Sequence, residues 1–497
     1  MAARAQDFSP NRVELQPEPV HVAFAEGDGI GPEISAAVRD ILGAAGAAVR
    51  FESVTVGEAC YRQGASSGIP AEAWETIRAH RVLLKGPITT PQGGGYKSLN
   101  VTLRKALGLF ANVRPCRAWH PHVVTRHPDM DLVIVRENEE DTYAGIEHRQ
   151  TPEVTQCLKL ISEPGSERLI RYAFELARAQ GRKTVHCLTK DNIMKVTDGL
   201  FHRTFNRVAA EYPELEAKHL IIDIGSALLA DRPEIFDVIV APNLYGDIVS
   251  DIAAQITGSV GLGGSANIGE DFAMFEAVHG SAPDIADQDI ANPSGLLLAA
   301  VEMLRYIGDA HTAARIQAAW LQTMADGLHT ADLHREGHSR MRVGTRAFAE
   351  AVCERLAFDR VEPDGARGLP DVRLGWPAAK RRPAKTLHGV DVFVDWDEAG
   401  RDAEALSQRV SALAQGLALE LVMITNRGVK VWPDGLPETR CTDHWRCRFR
   451  RACEGVIGHR DVLALLDRFE QAGLDFIKTE HLYAFDGERG WSLGQGE

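Results

Sequence analysis

An α/β fold with a mostly parallel or mixed sheet, followed by a smaller α+β domain, is predicted by three observations. Apolar, β-branched runs alternate with amphipathic stretches through the first two thirds of the chain. The alternation stops in a Pro-, Gly- and Arg-rich stretch, and a second, shorter pattern then begins. In order, strands are expected at 21–25, 81–84, 132–135, 184–188, 220–222 and 238–241. A helix over 33–42 aligns Ile34, Val38, Ile41 and Leu42 on one face, and a helix over 169–180 is closed by Gly181, the residue type best able to take the left-handed conformation past a helix end. Glu362-Pro363-Asp364-Gly365 and Lys380-Arg381-Arg382-Pro383 mark a linker over 361–385. Beyond it, strands near 390–394, 419–424, 429–432 and 445–449, helices over 403–417 and 461–472 and a final hairpin make up the domain 386–497.

At 497 residues the chain exceeds one ordinary core. A net charge of −14 argues against nucleic acid or an anionic membrane as partner, while leaving room for small anions held by local arginines. No run reaches the length of a spanning helix, and the first eighteen residues hold Asp7, Glu14 and Glu18 and no apolar core of a signal, so a cytoplasmic protein is expected. The eight cysteines fit a reducing compartment. Cys441, Cys447 and Cys453 lack the paired spacing of zinc sites and are read as packing residues.

The most informative stretch is Gly246-Asp247-Ile248-Val249-Ser250-Asp251-Ile252, which opens a helical pattern after an apolar run. Asp247 and Asp251 are four apart and project from one helix face, a hard-oxygen pair suited to Mg2+ or Mn2+ rather than zinc. The competing reading is an acidic helix start favoured by the dipole. Arg104, Arg114 and Arg136 occur near element ends with Ser98 and Asn100. Such guanidinium forks match a small polycarboxylate. Tyr143 and Lys190 follow, each unremarkable alone.

Taken in order, Gly-Asp-Gly-Ile-Gly-Pro-Glu at 27–33, Ser-Leu-Asn-Val at 98–101, Arg-Glu-Asn with Tyr-Ala-Gly-Ile-Glu at 136–147, Lys-Asp-Asn-Ile-Met-Lys at 190–195, Gly-Asp and Ser-Asp at 246–251 and His-Gly-Ser-Ala-Pro at 279–283 closely resemble the isocitrate/isopropylmalate dehydrogenase family. Ser98 and Asn100 stand where its isocitrate-specific members grip the substrate, and the C-terminal region resembles the extension of a longer bacterial subgroup. The resemblance implies a two-lobed, non-Rossmann fold: a catalytic domain over 19–360, with a large lobe at about 19–109 and 258–360 and a small dimerising lobe at about 110–257.

It further implies that Ser98, Asn100, Arg104, Arg114 and Arg136 hold isocitrate, that Tyr143 and Lys190 transfer protons, and that Asp223, Asp247 and Asp251 ligate Mg2+ or Mn2+. Asp223 is placed by counting back from Arg232-Pro233. Lys190 and Asp223 would reach into the partner's site of a homodimer, with a higher homo-oligomer through the C-terminal domain as the alternative assembly. In the implied reaction Lys190 or a water it polarises takes the C2 hydroxyl proton, hydride leaves for the nicotinamide, CO2 departs and Tyr143 protonates the remaining carbon.

For the dinucleotide the resemblance implies Thr90, Asn192, His279, Gly280, Asp284, Ile285 and Asn292. The glycines at 27–31 miss the G-x-G-x-x-G register. Asp284-Ile285 replaces the Lys-Tyr of NADP-using relatives, and a carboxylate there suits a ribose diol and opposes a 2′-phosphate, so NAD is the expected cofactor. Ala331 agrees with NAD and Arg335 speaks for NADP. Ser98 with Asn100 argues against homoisocitrate or isopropylmalate, and the presence of Tyr143, Lys190 and the aspartates argues against a non-catalytic regulatory subunit. The C-terminal sequence carries no phosphate loop or metal cluster, which favours assembly as its role.

Overall fold

The computed structural model describes residues 19–89, 98–357, 368–370, 372–452 and 457–494. The chain divides into two compact units, the first comprising Met1–Glu139, Pro164–Thr189 and Thr204–Trp376, the second Glu140–Glu163, Lys190–Arg203 and Pro377–Glu497. The segments 140–163 and 190–203, which lie inside the lobe drawn from the sequence at 110–257, thus cluster with the C-terminal region. Among the described residues no helix is long and apolar enough to cross a membrane.

The first unit is built on a ten-stranded mixed sheet in the order Val49–Ser53, Val20–Ala25, Val82–Lys85, Ala273–Ala277, Gly264–Ile268, Ala111–Arg117, Asp131–Glu137, Val238–Ala241, Thr184–Thr189, Glu216–Ile221. Val238–Ala241 is buried along its whole length between two parallel neighbours, which is why it reads as an unbroken apolar run. Glu216–Ile221 is the edge strand, and its exposed Glu216, Ala217 and Lys218 hid its first half. The helix Ile222–Asp231 starts where the sequence reading still had strand.

Glycines 27, 29 and 31 serve close packing of the first strand-to-helix turn. A Cβ on Gly27 would lie 2.2 Å from the Pro87 carbonyl oxygen, and one on Gly29 2.0 Å from that of Ser281. Both have positive φ, 83° and 59°. The turn is bolted by Ile30 N–H to Ser281 O at 2.8 Å and by Asp28, which accepts from the Thr89 N–H at 3.0 Å.

In the second unit six strands form an antiparallel sheet in the order Val429–Trp432, Leu419–Asn426, His444–Arg451, Lys385–Asp395, Asp475–Phe485, Glu488–Arg489. Helices Ala403–Ala414 and His459–Gln471 contribute Leu406, Val410, Leu465 and Phe469 to a core with Val390, Val392, Val394, Trp445, Cys447 and Phe449. Arg448, buried like its partner, is held bidentately by Asp391 at 2.7 and 2.8 Å and also donates to the Ser492 carbonyl. Asp391→Ala would strand that guanidinium, and an expected loss of about 3–5 kcal/mol should appear as a lowered urea midpoint in Trp445 fluorescence. An unchanged midpoint would contradict it.

The hairpin Glu147–Arg149/Thr155–Cys157 has no apolar face of its own, with all three residues of its first strand exposed. Its turn plugs into the C-terminal region. Thr151 Oγ1 donates to Asp443 at 2.5 Å and the Glu153 N–H to the same carboxylate at 3.3 Å, while Arg401 grips the Glu153 carboxylate at 2.8 and 2.9 Å. Charge-assisted bonds to a buried aspartate therefore hold what apolar burial does not.

Candidate functional site

In the first unit, Asp247 and Asp251 stand on helix Asn243–Ile256. The helix begins at Asn243, so Asp247 lies past its first turn and the helix dipole does not account for it. Gly246 is required for passage of Arg136: a Cβ there would lie 2.7 Å from the Arg136 Cβ. The Arg136 guanidinium donates to Asn243 Oδ1 at 2.8 and 3.1 Å and to Asp247. Arg114, on Ala111–Arg117, donates to Ser250 Oγ at 2.6 Å and to Asn112 Oδ1 at 2.5 Å, and lies 3.4 Å from Asp247 and 3.6 Å from Asp251. Burial lowers the pKa of Arg114, and the neighbouring Asp247 carboxylate opposes that shift.

Arg104, on helix Leu99–Ala106, donates to Glu276 at 2.9 Å, and Lys85 meets the other oxygen of that carboxylate at 2.8 Å. Burial alone would raise the Glu276 pKa, but Lys85 and Arg104 outweigh it and hold the carboxyl below the usual range. Asn267 donates to Glu276 at 2.8 Å and accepts from Asn112 at 2.7 Å and Asn138 at 3.0 Å. One buried polar network thereby runs from Arg104 through Glu276, Asn267 and Asn112 to Arg114. Arg104 Nε and Asn100 Oδ1 are buried with no hydrogen-bond partner among the described residues. Ser98 is the residue before this helix, its carbonyl accepting from the Thr102 N–H.

Asp223 is exposed in the first turn of Ile222–Asp231, a helix that packs beside Asn243–Ile256. Asp247 and Asp251, one turn apart on a rigid helix, are hard-oxygen donors of the kind Mg2+ or Mn2+ takes, while among the described residues of one chain Asp223 does not join them in a group of three within ligating reach. His279 offers a buried Nε2 without a hydrogen-bond partner among the described residues, while its Nδ1 is 3.0 Å from the Gly280 carbonyl. Burial holds the imidazole pKa down, so Nδ1–H can donate there and Nε2 stays an acceptor. Asn292 donates to Asp332 at 3.0 Å, and Asp332 also accepts from Ser259 and Thr330. Gly280 and Asp284 are exposed and Ile285 half-buried. Thr90 lies outside the described residues.

Tyr143, Lys190 and Asn192 belong to the second unit. Tyr143 sits in the 3-10 turn Thr142–Ala144, and the Lys190 N–H donates to Asp198 at 2.7 Å. Sequence reasoning passed over Ser250, Asn112, Asn267, Glu276 and Lys85. The available signal was charge inside apolar strands, Lys85 closing Val-Leu-Leu-Lys and Glu276 inside Ala-Met-Phe-Glu-Ala.

Comparison with known proteins places the chain in a family. The profile of the isocitrate/isopropylmalate dehydrogenase family matches residues 21–352, and that of the bacterial isocitrate dehydrogenase C-terminal domain matches 385–497. "Isocitrate dehydrogenase [NADP]" of Rickettsia bellii is 52% identical over 96% of this chain and 99% of its own length. The protein of the same name from Thermus thermophilus is 45% identical, covering 96% of both chains. The crystal structure of the TT0538 protein from Thermus thermophilus superimposes with a TM-score of 0.89, covering 96% of both chains at 45% identity.

These relatives overturn the expectation of NAD, since the Rickettsia and Thermus dehydrogenases are both named for NADP. The physical fault lies in the weight given to Asp284. Its side chain is exposed on the short turn Pro283–Ile285, and among the described residues no hydrogen bond fixes its carboxylate in place. The segment after Thr330 carries His334, Arg335, His338 and Arg340. Arg335 Nη1 is pinned to the carbonyls of Asp332 and His334 at 3.0 and 2.9 Å, on the loop that Asp332 ties to Asn292.

Proposed function

The chain belongs to the isocitrate/isopropylmalate dehydrogenase family, and on that premise we propose that it oxidatively decarboxylates isocitrate to 2-oxoglutarate and CO2, reducing NADP, with Mg2+ or Mn2+. The observation that carries the substrate class is the convergence of Arg104, Arg114 and Arg136, largely buried, with Arg104 Nε and Asn100 Oδ1 lacking partners among the described residues. A carboxylate and a hydroxyl of a small tricarboxylate satisfy such groups, and unsatisfied buried donors are costly enough to require a ligand.

In this reading Arg104, Arg114 and Arg136 take the carboxylates, and Ser98 and Asn100 discriminate the arm that distinguishes isocitrate. The network through Glu276, Asn267 and Asn112 keeps two of those guanidiniums aimed before substrate arrives, which lowers the ordering cost of binding. Asp247 and Asp251 would hold the divalent cation, with Asp223 reaching it across the homodimer, and the cation would supply polarisation of the oxygen at C2. Lys190 receives the C2 hydroxyl proton and Tyr143 delivers a proton to carbon after CO2 leaves. His279, Gly280, Ile285 and Asn292 take the adenosine half of the cofactor, with Arg335 supplying the charge for its phosphate. A homodimer, an assembly role for 386–497 and a cytoplasmic location complete the reading.

Purified protein given isocitrate, Mn2+ and NADP should release 2-oxoglutarate and CO2 in a 1:1 ratio with NADPH, and no turnover of isocitrate with NADP would sink the proposal. Arg335→Ala should lower kcat/KM for NADP by about 10–100-fold, the worth of a charge-assisted contact, while the isocitrate KM stays put. An unchanged kcat/KM would remove Arg335 from the cofactor site.

A further inference from the structure

Within the second unit, one ammonium joins two buried carboxylates that each hold a backbone amide beside an expected proton-transfer residue. Lys159 Nζ lies 3.2 Å from Asp141 Oδ1 and 2.9 Å from Asp198 Oδ1. Asp141 and Asp198 are 0% exposed and the Lys159 side chain 14%. Asp141 Oδ1 also accepts from the Thr142 N–H at 2.8 Å, capping the turn that carries Tyr143. Asp198 Oδ2 accepts from the N–H of Lys190 itself at 2.7 Å. Asp141 has a φ of 64° with a ψ of −154°, an uncommon backbone conformation for a residue other than glycine, which its cap and its pairing with Leu160 hold in place. Lys159 is the residue before Leu160, so the hairpin base delivers the ammonium to both carboxylates.

Two buried carboxylates that share one ammonium are left as uncompensated buried charges when it is removed. Removing the ammonium would therefore loosen both amide anchors together. We propose that Lys159 is a positioning residue, whose bridge between Asp141 and Asp198 anchors both the Tyr143 turn and the Lys190 backbone, each in the active site of the homodimer that it serves. The inference rests on the reading of Tyr143 and Lys190 as the proton-transfer pair. A bridge that served stability alone would leave the catalytic rate of the folded protein untouched.

The test combines amide hydrogen exchange with steady-state kinetics on the full chain. In Lys159→Met, exchange at the Thr142 and Lys190 amides should rise together. With isocitrate, Mn2+ and NADP, kcat should fall by about 10–100-fold, the size expected of a misplacement near an ångström, with the isocitrate KM changing less than about threefold. Lys159→Arg should recover most of kcat. Should Lys159→Met fail to fold, Lys159→Met/Asp198→Asn removes one buried charge along with the cation, and the same loss of kcat is expected. Wild-type exchange at either amide, or a kcat within about twofold of wild type in the folded variant, overturns the proposal. A wild-type chain without isocitrate turnover would instead defeat the functional reading, and the paired exchange result would still decide the bridge.

Discussion

Lys190→Met and Tyr143→Phe are expected to lose about two to four orders of magnitude in kcat, the range general acid–base groups supply, while folding as the wild type does. The two losses should differ in kind. Lys190→Met removes the acceptor of the C2 hydroxyl proton, so the first turnover of NADPH formation disappears. Tyr143→Phe leaves that step in place and slows protonation of carbon after CO2 has gone, so a burst of NADPH absorbance should survive with a slow steady state behind it. Stopped-flow traces separate the cases. Both side chains are half-buried in the second unit, and the Lys190 N–H is anchored to Asp198, so neither substitution removes a group from a close-packed core. Near-normal turnover in either variant would dismiss the pair as proton carriers.

Asp247→Asn should shift the Mg2+ or Mn2+ needed for half-maximal activity upward by about a hundredfold, because removing an anionic ligand from a hard-cation site lowers affinity directly. It should also lower thermal stability, since Asp247 accepts from buried Arg136 and lies 3.4 Å from buried Arg114. Asp251 is exposed and touches Arg114 only at 3.6 Å. Asp251→Asn should therefore shift the metal curve with little change in melting. Activity curves against metal concentration, paired with melts in excess chelator, distinguish these outcomes. A metal curve superimposing on wild type for Asp247→Asn would refute the carboxylate's assignment.

What the sequence made legible follows from what each strand buries. Val238–Ala241 sits between parallel neighbours and shows only apolar side chains, so its bounds were read correctly. Ala111–Arg117, Gly264–Ile268 and Ala273–Ala277 escaped because Asn112, Arg114, Asn267 and Glu276 interrupt any apolar run. Those same interruptions form the buried network, so the missed strands and the missed site residues are one omission. Ordered motifs carried the family. The cofactor went wrong where one exposed carboxylate was weighed above a basic loop whose attachment to Asn292 passes through Asp332. The grouping of 140–163 with the C-terminal region was illegible for another reason, since its anchors are polar and far along the chain.

The seat of the hairpin turn in Asp443 and Arg401 has a meaning in time. Thr151 and Asp443 are separated by 292 residues. At a synthesis rate of about 5–20 residues per second, the ribosome needs roughly 15–60 s to make the second after the first. Throughout that interval the groups destined for Asp443 and Arg401 lack those partners, while the strands of the ten-stranded sheet, all complete by residue 277, can already condense. The segment leading from Tyr143 is thus made early and seated late, and its maturation is timed by the arrival of the last fifth of the chain.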